Sequence, residues 1–221
     1  MAQQALVIGM GKFGMSVAKS LSEKGIDVLA IDRSKELVDI VSGLGIEAIQ
    51  LDATDENALA QAMPSNRDLA ICAIGEESKE SSIICTALLR QYGVSRVVAR
   101  SCNTIHARIL KLVGAHLVVN PEMEFGQRLS SRLIYAKVIS DMPLGSDLHI
   151  TEIQIPEHFA GSTLLELSLP KRYEISVIAI RSTKTDAISL PNPQAVLHTE
   201  DNLIVISKPD AIAKLMENRQ S

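Results

Sequence analysis

Short apolar runs alternate with amphipathic stretches through the first half of the chain. Ala5–Ile8, Asp27–Ile31, Ile46–Leu51, Leu69–Ile74, Arg96–Arg100 and His116–Val119 read as strands. Apolar positions recur at helical spacing in Lys12–Glu23, Ser34–Val41, Asp55–Ala62, a stretch reaching Arg90, and Ile105–Leu112. Runs of that length without internal polar alternation are those of parallel strands covered on both faces. Joined by right-handed crossovers, they predict a doubly wound parallel sheet. Past Asn120 and Pro121 a helical pattern runs to about Ile139, with Pro121 suited to a first helical position. The pattern breaks at Ser140–Asp147, which holds Pro143 and Gly145, and the domain boundary is expected there. Beyond it, His149–Ile155 alternates polar and apolar as a half-exposed antiparallel strand does. Ile175–Ile180 and Asn202–Ile206 are further strands, with short helices at Thr163–Leu167 and after Pro209. The organisation expected is an α/β domain over 1–140 and a small α+β domain over 148–218.

Where the first strand meets its helix the chain reads "VIGMGKFG". Gly9, Gly11 and Gly14 form a G-x-G-x-x-G run in a strand–turn–helix setting. In such a Rossmann-like turn the first glycine permits the tight bend. The second lets backbone approach a pyrophosphate, and the third lets helix pack close to strand. First-turn N–H groups and the helix dipole favour an anion there. Asp32 ends the second strand about twenty residues on, where a carboxylate can accept from ribose hydroxyls. It should repel a 2′-phosphate, an exclusion that the neighbouring Arg33 blurs. The same residues also suit a turn chosen for packing and a helix cap.

Composition narrows the classes of function. The chain has 221 residues, formal charge −4 and 3% aromatic residues with no Trp, so its core is aliphatic. That balance argues against a broad nucleic-acid footprint, which needs clustered Lys and Arg. Cys72, Cys85 and Cys102 have no C-x-x-C spacing, as expected of unpaired thiols. No basic segment precedes an apolar one at the start, so no signal peptide is expected, and no apolar run approaches the ~20 residues that span a bilayer. His106, His116, His149, His158 and His198 show no i, i+4 metal-binding pair and read as structural.

"VIGMGKFG", "AIDRSKE", "IQLDATD", "AICAIG" and "KLVGAHLVVNPE", with the C-terminal module, together resemble the RCK proteins, regulators of K⁺ conductance. The resemblance is to the regulatory subunits of Trk/Ktr potassium uptake systems and covers nearly the whole chain. It implies a cytoplasmic subunit that binds ATP or ADP, with NAD(H) as a further ligand. It also implies assembly of dimers into an octameric ring at the inner face of the membrane, beneath a separate K⁺-translocating subunit. Mapped onto this sequence, Gly9, Gly11, Phe13 and Gly14 would form the phosphate loop, with Asp32 and Arg33 at the ribose. Lys12 stands where the family commonly has Arg and would meet the distal phosphate as a point charge rather than a bidentate fork. Asp52, Ala53 and Thr54 would lie by the adenine, although Asp52 and Thr54 equally suit a turn and a cap. Gly75 would end the fourth strand at the crevice. No polar contact is assigned to the "EESKES" turn after it. Arg100 would face phosphate or else be a surface charge. Glu122 would be carried by the long helix toward a neighbouring subunit's nucleotide, or merely favour its helix N-terminus. A carboxylate near a triphosphate calls for a bridging Mg²⁺, Ca²⁺ or Na⁺. Lys171 and Arg172 could bind a cyclic dinucleotide in the small domain or sit in a solvated loop. The competing classes are an NAD-dependent oxidoreductase and a freestanding nucleotide sensor. The first would need a proton-transfer residue at the nicotinamide, for which the small domain offers no convincing candidate.

Overall fold

The computed structural model describes residues 3–134, 137–145 and 147–217. Residues 1–2, 135–136, 146 and 218–221 lie outside it. On them fall the outer ends of both expected domains, part of the expected long helix and part of the expected boundary.

The first unit, Met1–Glu122, is built on a six-stranded parallel sheet. Its strands are β1 (Gln4–Ile8), β2 (Asp27–Asp32), β3 (Glu47–Gln50), β4 (Leu69–Cys72), β5 (Arg96–Arg100) and β6 (Leu117–Val119). They lie in the order β3-β2-β1-β4-β5-β6, the doubly wound arrangement in which the crevice forms where strand order reverses. Side-chain alternation divides each strand between two cores. Ala5 and Val7 of β1, with Val28 and Ala30 of β2, pack under Ala18 of α1 (Lys12–Glu23) and Val41 of α2 (Lys35–Gly43). Leu6 and Ile8, with Leu29 and Ile31, join Leu59 of α3 (Glu56–Ala60), Cys85 and Leu89 of α4 (Lys79–Gln91) and Leu110 of α5 (Thr104–Leu112) on the other face. Small residues dominate the α1 side, which brings that helix close to the sheet.

Helix starts follow local chemistry. Ser34 caps α2, Asp55 caps α3 and Asn103 caps α5, each accepting from first-turn N–H groups. α1 differs: Gly11 occupies its cap position, no side chain caps it, and no acid lies in its first turn.

The second unit, Met123–Ser221, holds a five-stranded antiparallel sheet in the order β10-β9-β11-β8-β7. These are β7 (Val138–Gly145), β8 (Leu148–Gln154), β9 (Ser176–Ser182), β10 (Ile188–Ser189) and β11 (Asp201–Ser207). Its core gathers Ile153, Leu203 and Val205 with Leu167, Leu169 and Leu215 of α7 (Leu164–Leu167), α8 (Leu169–Tyr173) and α9 (Pro209–Glu217). α6 (Pro121–Ile134) begins in the first unit and continues into residues of the second.

Ser140–Gly145, within the stretch expected as the domain boundary, continues a strand. The division falls after Glu122, and Val138–Gly145 is a strand of the second sheet, so Val138 and Ile139 do not extend α6. Pro143 lacks an N–H and breaks the helical pattern. β7 is an edge strand, where such a residue interrupts no inner ladder, and pairing shifts register between Pro143 and Gly145. The segment Leu169–Tyr173 is a helix rather than a solvated loop, anchored by buried Leu169 and Tyr173.

Leu203, fully buried in β11, should cost about 2–5 kcal/mol when cut to Ala, whereas Pro143→Ala on the edge should cost less than about 1 kcal/mol. Urea denaturation of the two variants measures both, and comparable losses would contradict the placement of Pro143.

Candidate functional site

The switch point of the parallel sheet opens into a crevice of about 640 Å³, within the range of small-ligand sites. Every site residue expected from the sequence lines it except Gly14: Gly9, Gly11, Lys12, Phe13, Asp32, Arg33, Asp52, Ala53, Thr54, Gly75, Arg100 and Glu122.

The three glycines serve three different constraints. Gly9 has φ +93°, the left-handed region that disfavours side chains. A Cβ on Gly14 would stand 1.8 Å from the carbonyl oxygen of Gly9, so this glycine lies beneath the loop and sets how closely α1 approaches β1. Gly11 is different. Its φ of −65° and ψ of −175° are open to any residue, and a Cβ there would meet no atom within 4 Å beyond its own residue and its two chain neighbours. Neither backbone nor packing requires glycine at this point. What it leaves clear is the approach to the uncapped N-terminus of α1, a cradle that a Cβ would fill. That fits a phosphate group at the first-turn N–H groups.

Asp32 is held by backbone on both sides. The N–H of Met10 donates to its Oδ2 at 2.6 Å and that of Ser34 to its Oδ1 at 2.8 Å. One carboxylate thereby ties the glycine loop to the start of α2. Each oxygen keeps a further acceptor position, so the ribose role is compatible with this clamp. Asp52 accepts from the Thr54 hydroxyl at 2.7 Å and the Thr54 N–H at 2.9 Å. The hydroxyl, then the N–H, hold its carboxyl below the usual value, with a smaller pull from Arg33. The two residues therefore do form the local turn, and this turn forms part of the crevice wall. Lys12 stands exposed at the first position of α1 and makes no ion pair among the described residues.

Arg100 is no surface charge. Its guanidinium carbon lies 5.6 Å from the centre of the Phe13 ring, and its Nη2 pairs with Glu122 Oε1. Glu122 thus lines its own chain's crevice and is neutralised from within it. Of the crevice's carboxylates, Glu122 is paired with Arg100 while Asp32 and Asp52 accept from backbone N–H groups, and no group of three His, Cys, Asp or Glu side chains that could hold a metal exists among the described residues.

Sequence reasoning missed Ser34, Leu37, Leu51, Ile74, Ser78 and Ser81, which also line the crevice. Ser34 was legible as a cap after Asp32. Ser78 and Ser81, with Glu76, come from the turn after Gly75 to which no contact was assigned. Glu76–Ser78 makes a single 3-10 turn that leads into α4 and aims this segment at the crevice. In the second unit a groove of about 390 Å³ is walled by Leu164, Leu165, Leu169, Pro170 and Pro193, with Lys171 but not Arg172 on its rim. Arg172 lies over the Tyr173 ring instead.

Fold and crevice together define a class: a Rossmann-like domain with a phosphate-binding glycine turn, followed in the chain by a small α+β domain. Residues 5–121 match the TrkA-N domain and residues 149–219 the TrkA-C domain, and the chain belongs to this family, the RCK-type regulatory subunits of Trk and Ktr potassium uptake systems. It is 33% identical over 214 residues to Ktr system potassium uptake protein C of Bacillus subtilis, covering 97% of this chain and 96% of that one. With Ktr system potassium uptake protein A of Vibrio alginolyticus the identity is 30% over 216 residues, covering 98% and 97%. In fold the chain is similar to the GsuK channel (TM-score 0.69, 16% identity, 98% of this chain and 39% of that chain). It is likewise similar to the GsuK channel bound to NAD (TM-score 0.66, 17% identity, 97% and 39%). This chain spans less than half the length of those channel chains.

Gly11→Ala should leave unfolding free energy within about 0.5 kcal/mol of wild type while weakening binding of an adenine nucleotide tenfold or more, a loss of about 1.4 kcal/mol. Gly14→Ala should destabilise by about 3 kcal/mol or more through the clash with the Gly9 carbonyl. Calorimetric titration paired with urea unfolding separates the two roles. Equal affinity in Gly11→Ala would remove the reason for the glycine.

Proposed function

We propose that this chain is the nucleotide-sensing subunit of a potassium uptake system. It binds ATP or ADP, with NAD(H) as a further ligand, in the glycine-turn crevice, and thereby gates a separate membrane subunit that conducts K⁺. The observation that carries this reading is Gly11: an uncapped helix end, open to any side chain by backbone and packing, is kept clear of one. Relatives named as Ktr potassium uptake proteins along nearly their whole length support the K⁺ system as the setting.

The subunit acts as a homo-oligomer of dimers, an octameric ring docked at the inner face of the membrane through its partner. Exposed apolar residues support self-association: Ile105, Ile109 and Leu112 on one face of α5, and Phe125, Leu129 and Leu133 along α6. No helix among the described residues is long and apolar enough to cross a membrane, in keeping with conduction by another chain. The ligand's work is conformational. Moving a two-state assembly from 1:99 to 99:1 takes about 5.5 kcal/mol of differential affinity. One terminal phosphate, repeated over several coupled sites, is of that order. Lys12, at the first position of α1 and without an ion pair, is the side chain suited to read it.

Reconstituted with its membrane partner, the wild-type subunit should give faster K⁺ uptake with ATP than with ADP. Lys12→Ala should bring the two rates to roughly equal values, since a charge-assisted contact to the terminal phosphate is lost. An unchanged ATP/ADP ratio would reject the role of Lys12. Failure of the purified subunit to bind any adenosine phosphate or NAD would reject the function.

A further inference from the structure

At the end of β5 away from the crevice, two hydrogen-bond donors face one another. The N–H of Val97 donates to His116 Nδ1 at 2.9 Å, and the N–H of His116 donates back to the Val97 carbonyl at 2.8 Å. A ring nitrogen that accepts from a backbone N–H carries no proton, so the imidazole N–H is on Nε2. That Nε2 stands 3.0 Å from Arg90 Nη1. A guanidinium offers no lone pair, and neither does a ring N–H. The two donors meet with no acceptor between them.

The arginine is held in this position. Its Nη1 also donates to the Val94 carbonyl at 3.3 Å. Its stem lies across Gly114, where a Cβ would come within 3.0 Å of Cγ and 3.1 Å of Nε. The turn between α5 and β6 is thus bare where the arginine rests on it. Arg90 belongs to the last turn of α4 and makes no ion pair among the described residues. Glu56 accepts from the neighbouring Gln91 at 2.9 Å instead. Further positive charge lies close in the chain: Arg96 begins β5, and Lys111, in the last turn of α5, accepts from the Gly114 N–H through its carbonyl. Arg90 and His116 are both exposed, so a solute can reach them.

We propose that Arg90 and His116 form a binding site for a phosphate group, separate from the nucleotide crevice. An anion in front of the two side chains accepts from both at once and turns opposed donors into partners. The guanidinium fork alone occupies both oxygens of a carboxylate, whereas a phosphate has a third to give the imidazole. The site lies at the amino end of β5, and Arg100 of the crevice at its carboxyl end, roughly 13 Å along the strand. It does not depend on what the crevice binds. A free phosphate and the phosphate of a lipid headgroup present the same kind of oxygens.

The test follows the histidine ring signals of the full chain by NMR at constant pH, as sodium phosphate is added against sodium chloride of matched ionic strength. His116, assigned by its loss in His116→Gln, should shift and saturate with a Kd of about 1–10 mM, as two charge-assisted contacts at an exposed site allow. His106, His149, His158 and His198 should not follow it, and chloride should leave it in place. Arg90→Gln should weaken the response about tenfold or more. Arg90→Lys, which keeps the charge without the fork, should fall between and serves alone if Arg90→Gln does not fold. In Gly11→Ala the response should persist. No shift of His116, an equal shift of all the histidines, an equal shift with chloride, a response unchanged in the Arg90 variants, or one lost in Gly11→Ala would each overturn the proposal. Sedimentation with phosphatidylcholine vesicles, with and without phosphatidic acid, separates the sources. Binding that needs both phosphatidic acid and Arg90 assigns the site to a headgroup, and a shift with free phosphate without co-sedimentation assigns it to a soluble phosphate.

Discussion

Helix α1 lies so close to the end of β1 that the Gly9 carbonyl oxygen occupies space where a Cβ of residue 14 would be. The first unit's site depends on this approach. It brings the positive end of a helix against the carboxyl end of a parallel sheet, where first-turn N–H groups face the crevice without a side-chain cap. The cost is two glycines with little latitude, one strained toward positive φ and one with no room. The return is an anion site made from backbone, whose charge does not titrate and whose geometry is as rigid as the sheet beneath it.

Asp32 completes that rigidity. Because its two oxygens accept from Met10 and Ser34, the loop and the β2–α2 turn are joined through a carboxylate already oriented toward the crevice. A ligand binding there pays less to order its surroundings than it would in a floppy loop. The opposite side, from β4 and β5, is different in kind. It depends on long side chains, Arg100 at the end of β5 and Glu122 in the first turn of α6. One half of the crevice is therefore built on backbone and the other on long side chains.

The second unit draws on other physics. Its antiparallel sheet buries one core, and Glu152, mostly buried, is kept by Asn202 at 3.1 Å and Arg181 at 3.0 Å. Its edge strand β7 tolerates a proline and a register shift that an inner strand would not.

The sequence by itself determined the parallel sheet, because strands buried on both faces must be continuously apolar. It also determined the phosphate turn, because a positive φ, a close helix approach and an open cradle each demand glycine at a fixed spacing. Asp32 was legible as a strand-end residue, because the ends of strands in such a sheet converge on one crevice, whereas Asp52, Thr54 and Gly75 were placed by the family resemblance. Tertiary structure alone decided the rest. No local pattern tells that Pro143 falls on an edge, since edge and centre differ only in what pairs alongside. Nothing in the neighbourhood of Arg100 announces that its partners are Phe13 and Glu122, 87 residues before and 22 after it in the chain. Periodicity reports which face of an element is buried, but the pairing of two charges across a crevice is set by the fold that brings their backbones together.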